Sequence, residues 1–124
     1  MALELEKLGC HSIAIKDMAA LLKPRAAKEL VGTLKKELHV PLHLHTHDST
    51  GNGVSTVLMA AEAGVDIVDL AIESMSSMTS QPSMNAVVEV LRGTKRDTGL
   101  DFEELSELSR YYTVSYTHLR AHET

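Results

Sequence analysis

The sequence predicts an α/β fold in which short parallel strands alternate with amphipathic helices, as in a partial TIM (β/α)8 barrel. Two observations carry this. Short apolar runs alternate with helical stretches, and a strand, helix and strand in succession return right-handed to a parallel neighbour. The polar residues also fall at the C-terminal end of each run in turn: Lys16 and Asp17, then His45, His47 and Asp48, then Glu73 and Ser74. Barrel enzymes gather their catalytic residues on that rim. With 124 residues against the ~250 that closure takes, about three consecutive βα units are expected.

Each element has a local reason. In 2–8, leucines at 3, 5 and 8 sit among glutamates, and Gly9 ends the helix. Residues 12–16 form a first strand. Pro24 opens a helix to about Leu38, with Ala27, Leu30, Val31, Leu34 and Leu38 on its apolar stripe. The second strand is 41–47. A helix over 52–63 ends at Gly64, and 65–72 is the third strand. Pro82 starts a helix ending near Gly93, and Asp101 caps a last one to about Arg110.

Composition narrows the function. The net charge of -5 and scattered basic residues argue against a nucleic-acid groove or a polybasic membrane patch. No apolar run approaches the ~20 residues of a membrane span, and the N-terminus lacks the plan of a signal peptide. The single cysteine, Cys10, allows no internal disulfide, so a reducing compartment, the cytoplasm, is expected.

The chemistry concentrates at His43-Leu44-His45-Thr46-His47-Asp48. Side chains alternate along a strand, so the three imidazoles share one face, and two of them two residues apart can hold one divalent metal ion. His43 lies deepest and is read as structural. Such a histidine is otherwise an ordinary satisfied residue, but three of them followed by Asp48, Gly51 and Gly53 favour a site. Lys16 is the second unusual residue. It shares a face with Ala14 and is expected in a partly desolvated mouth, where its amine could form a Schiff base or take up carbon dioxide as a carbamate and ligate metal. A lysine snorkelling at a strand end is the plain alternative. Met75, Met78 and Met84 are read as flexible packing, and the loop 74–83 as either a substrate-path lining or a helix cap made by Thr79 and Ser80.

Four segments in order, Ile15-Lys16-Asp17-Met18-Ala19, Leu21-Leu22-Lys23-Pro24, the run 43–48, and Thr79-Ser80-Gln81-Pro82-Ser83-Met84, closely resemble the carboxyltransferase domain of biotin-dependent pyruvate carboxylases. Related enzymes are the oxaloacetate decarboxylase alpha subunit, the transcarboxylase large subunit and the lyase acting on hydroxymethylglutaryl-CoA. The resemblance covers 1–112 and implies a metal-dependent TIM barrel. It implies that Lys16, carboxylated, binds a divalent metal, zinc or manganese, together with His45 and His47. It also implies transfer of a carboxyl group from carboxybiotin to the enolate of pyruvate to give oxaloacetate. The biotin would arrive on a carrier domain absent from this chain. Further implied partners are a biotin carboxylase domain, the rest of the barrel and, for the full enzyme, other copies in a homo-oligomer. Asp48 is expected to orient a liganding histidine or the turn after it.

Departures from the family pattern are local. Ser49-Thr50-Gly51 replaces Thr-Ser-Gly, and Ala20 and Ser77 stand where glycines are common. The metal-binding aspartate and substrate-gripping arginine of the family's first strand do not occur, nor do its proton-shuttling threonine and its biotin-attachment motif. The expected function is therefore the metal-bearing fragment of a carboxyltransferase, inactive alone. The alternatives are an oxaloacetate decarboxylase fragment and a non-catalytic metal-binding or structural piece. Residues 113–124 resemble a recurrent adapter-derived translation and are expected to be a disordered or artefactual tail outside the family.

Overall fold

The computed structural model describes residues 1–122. Three parallel strands lie in the order β1-β2-β3, where β1 is Ile13–Asp17, β2 Leu42–Thr46 and β3 Ile67–Val68. Helices α1 (Ala2–Lys7), α2 (Pro24–Glu37), α3 (Gly53–Ala63), α4 (Met84–Leu91) and α5 (Phe102–His122) complete the order. Strand order follows chain order, as neighbouring βα units of a barrel require.

Alternation divides the sheet into two faces. Ile13, Leu42 and Leu44 point to the helices and pack with Ala27 and Val31 of α2 and Val57, Ala60 and Ala61 of α3. Leu42, Leu44 and Val31 are wholly buried, each side chain stabilising the fold by about 1.5–3 kcal/mol. The opposite face carries Ala14, Lys16, His43, His45 and Ile67, as the register pairs Ala14 with His43, Lys16 with His45 and His43 with Ile67. Among the described residues no layer covers this face, and Ile67 is 44% exposed.

Caps set the ends. Pro24 stands in the first turn of α2, where its missing N–H is no loss. Gly64 closes α3 with φ 104°, a conformation that favours glycine. Asp17 ties the β1–α2 turn, accepting from the backbone N–H of Leu21 and Leu22 and from Thr46 Oγ1.

Three boundaries differ from the sequence reading. The third strand is two residues long instead of spanning 65–72: Asp66 N and Asp69 N donate to Leu42 O and Leu44 O of β2 on either side of it, and the chain then leaves the sheet to pair Ala71 with Ser83. Pro82 does not open α4: its carbonyl accepts from Ala71 N, and Ser83 is the cap, its Oγ accepting from Ala86 N at 3.2 Å. The last helix, capped by Asp101 as expected, runs past Arg110 to His122. Along it Val114, Tyr116 and Leu119 are exposed. For Glu123 and Thr124 the tail expectation lies outside the described residues.

Candidate metal centre

Strand β2 delivers His43 and His45 to the uncovered face, and His47 follows one residue beyond the strand end. His45 Nε2 and His47 Nε2 approach to 3.3 Å, with the rings edge-on at 69°. The other ring nitrogens are engaged. His45 Nδ1 lies 2.7 Å from Asp69 Oδ2, and His47 Nδ1 lies 2.6 Å from the carbonyl oxygen of Thr79. A carboxylate and a carbonyl only accept, so each Nδ1 carries a proton, and in the neutral form of each ring Nε2 is the nitrogen with the lone pair. Two lone pairs then face each other, a repulsive arrangement that a proton or a shared cation between them relieves. Two nitrogens bound at about 2.0–2.1 Å to one tetrahedral zinc lie roughly 3.3 Å apart. The pair therefore fits a metal by both chemistry and spacing.

Asp69 is the residue that sequence reasoning missed. Its Oδ2 takes the His45 proton, and its Oδ1 lies 2.9 Å from His43 Nε2, within ion-pair distance though off line for a hydrogen bond. Burial raises this carboxyl, but the His45 hydrogen bond and the pairing with His43 outweigh it and hold Asp69 below the ordinary aspartate value. A ligating histidine typically donates its other N–H to such a carboxylate. The available signal was an aspartate interrupting the apolar run 65–72, but nothing local linked it to histidines some two dozen positions earlier.

Lys16 is the cross-strand neighbour of His45, and parallel partners point the same way, so it stands on the histidine face. It is exposed, not partly desolvated as expected, because nothing among the described residues covers that face. Asp48 does not orient a histidine. Its Oδ1 accepts from Gly53 N at 2.8 Å and anchors the start of α3, the turn role that was the other expectation. Glu73 and Ser74 lie past the third strand in a 3-10 turn, Glu73–Met75, where their backbone N–H groups bond Asn85 and Ser109 and not the histidines. Neither Thr79 nor Ser80 caps α4; their carbonyls take His47 Nδ1 and Asp48 N. Met78 does not pack, being 80% exposed. Among the described residues no three His, Cys, Asp or Glu side chains form a metal set; the structure brings two histidines together, with Lys16 on the same face beside His45.

The profile of the HMGL-like family matches residues 1–111. Pyruvate carboxylase of Staphylococcus aureus is 51% identical over 118 residues, 95% of this chain and 10% of that protein. Mitochondrial pyruvate carboxylase of Homo sapiens is 50% identical over 113 residues, covering 90% of this chain and 10% of that protein. The carboxyl transferase domain of Rhizobium etli pyruvate carboxylase, solved with pyruvate, superposes with a TM-score of 0.89 at 51% identity, over 90% of this chain and 19% of that one. The same domain solved with oxalate gives 0.91 at 50% identity, over 93% and 19%. The chain spans about a tenth of the length of the curated relatives it matches.

Proposed function

We propose a function from one premise: this chain belongs to the HMGL-like family. Within it, the chain is the metal-bearing part of a biotin-dependent carboxyltransferase that moves a carboxyl group between carboxybiotin and pyruvate, giving oxaloacetate. The pyruvate carboxylases among its relatives favour this over the decarboxylase alternative. The observation that carries the reading is the convergence of the two Nε2 atoms at 3.3 Å, with both Nδ1 atoms engaged, on the face that also holds Lys16.

In this reading His45 and His47 hold a divalent metal, zinc or manganese, through Nε2. Lys16, carboxylated on Nζ, adds an anionic oxygen. When bound, the metal supplies positive charge that favours the enolate form of pyruvate. The chain's own residues do the positioning: Asp69 and the Thr79 carbonyl hold the two ring protons away from the site, and Asp69 balances part of its charge. Biotin is brought by a carrier domain and charged by a biotin carboxylase domain, and the whole enzyme is a homo-oligomer. Among the described residues no helix is long and apolar enough to cross a membrane. With its one cysteine unpaired, the proposed compartment is the cytoplasm.

The test is titration of the chain with Co²⁺, whose visible absorption reports imidazole coordination. Wild type is expected to bind one equivalent, and His45→Ala and His47→Ala are each expected to lose the signal. Unchanged binding in both variants rejects the assignment.

A further inference from the structure

We propose that segment 76–82 is a positioning element for His47, whose strained backbone holds the Thr79 carbonyl where it locks the imidazole as its Nδ1–H tautomer. The inference rests on the metal-centre reading above and names what presents the second histidine to it.

The segment contains two consecutive non-glycine residues in the left-handed region, Ser77 at φ 71° and Met78 at φ 53°. L-residues enter that region at a cost, so such a pair persists only where its surroundings impose it. Packing is not the reason: Ser77, Met78 and Thr79 are all exposed, Met78 to 80%. What the backbone path delivers is hydrogen bonds. Ser77 N donates to Gln81 O and Ser80 N donates to Ser77 O, each at 2.9 Å, closing the segment on itself. Asp48 N donates to Ser80 O at 2.9 Å, and Asp48 bridges Met78 antiparallel, so the loop is clamped to the residue directly after His47. In that geometry the Thr79 carbonyl accepts from His47 Nδ1 at 2.6 Å.

His47 needs this device because it lies beyond the last residue of β2 and lacks the carboxylate that serves His45. A free imidazole places its proton on either nitrogen, and a proton on Nε2 would occupy the position a metal takes. One backbone carbonyl, fixed by two left-handed residues, removes that choice.

The experiment is nitrogen NMR of the histidine rings in this chain at about pH 8, above the ordinary imidazole range, paired with Zn²⁺ titration. In wild type both His45 and His47 are expected as Nδ1–H tautomers. Ser77→Pro fixes φ near −65° and deletes the N–H that Gln81 receives. It is expected to release His47 into a tautomer mixture, leave His45 on Asp69 unchanged, and weaken Zn²⁺ binding about 10-fold or more. Ser77→Gly, which accepts the left-handed backbone freely, is expected to keep both tautomers and wild-type affinity. A loop that only stabilises the fold would shift neither ring selectively. An Nε2–H His47 in wild type overturns the proposal whether or not Ser77→Pro folds. So does a folded Ser77→Pro chain with an unchanged His47 tautomer or unchanged affinity. Tautomers as expected in a wild-type chain that binds no Zn²⁺ leave the positioning role standing and reject the metal reading.

Discussion

Replacing Asp69 with asparagine keeps the shape of the side chain and removes its charge, which isolates what the carboxylate does for the proposed metal centre. Wild-type Oδ2 accepts the His45 Nδ1 proton at 2.7 Å, and Oδ1 sits 2.9 Å from His43 Nε2. In Asp69→Asn one amide oxygen still accepts from His45, but as a neutral group. Bonds to charged acceptors contribute ~1.5–3 kcal/mol and neutral ones ~0.5–1.5, a difference of about 1–1.5 kcal/mol. The side chain is 40% exposed, so screening keeps the His43 contribution small and the His45 bond decides the magnitude. The expected loss is about 1.4 kcal/mol, or roughly tenfold in Zn²⁺ affinity, at the lower end of what removing a histidine's outer partner costs. Calorimetric titration of the chain measures it. Asp66→Asn is the control: it makes the same charge change on a carboxylate that meets Lys35 and Leu42 N instead of the histidines, and it should leave Zn²⁺ affinity unchanged. Asp69→Asn binding within about twofold of wild type would refute the role assigned to the carboxylate.

Two further perturbations address the frame around the site. In Gly53→Ala the new methyl would meet Pro82 Cγ at 2.5 Å and Asp48 Oδ1 at 2.6 Å, so α3 and segment 76–82 must separate; urea unfolding should show a loss of about 1–3 kcal/mol, and no loss would mean that this approach is not tight. Asp66 is held below its usual 3.8 by the backbone N–H of Leu42 and then by Lys35, so its contribution is fully present above that value and is lost as pH falls through the lower folded value. Denaturant midpoints followed downward from pH 5 should therefore fall less steeply in Asp66→Asn than in wild type, and parallel curves would remove Asp66 from the acid response.

Local pattern determined much of this protein. Alternation along Leu42–Thr46 places His43 and His45 on one face whatever surrounds the strand, because side-chain direction in a strand has a period of two. Pro24 and Gly64 mark a helix start and a helix end for reasons carried by their own backbones, and the glycine-like sites at Ala20 and Ser77 do adopt positive φ. The third strand, by contrast, is much shorter than its apolar run. An apolar run of that length is compatible with a strand, but how much of it pairs is set by where its neighbour ends and by side-chain partners remote in sequence. The centre itself is mostly a tertiary product. Only the β1–β2 register sets Lys16 beside His45, only the return of the chain at β3 brings Asp69 under two histidines, and only the folded loop turns the Thr79 carbonyl onto His47. Each of these depends on how separate elements stack. Residue type and spacing name the candidate ligands a chain offers, whereas the Nδ1 partners that would free each Nε2 for a metal are supplied only by the closed structure.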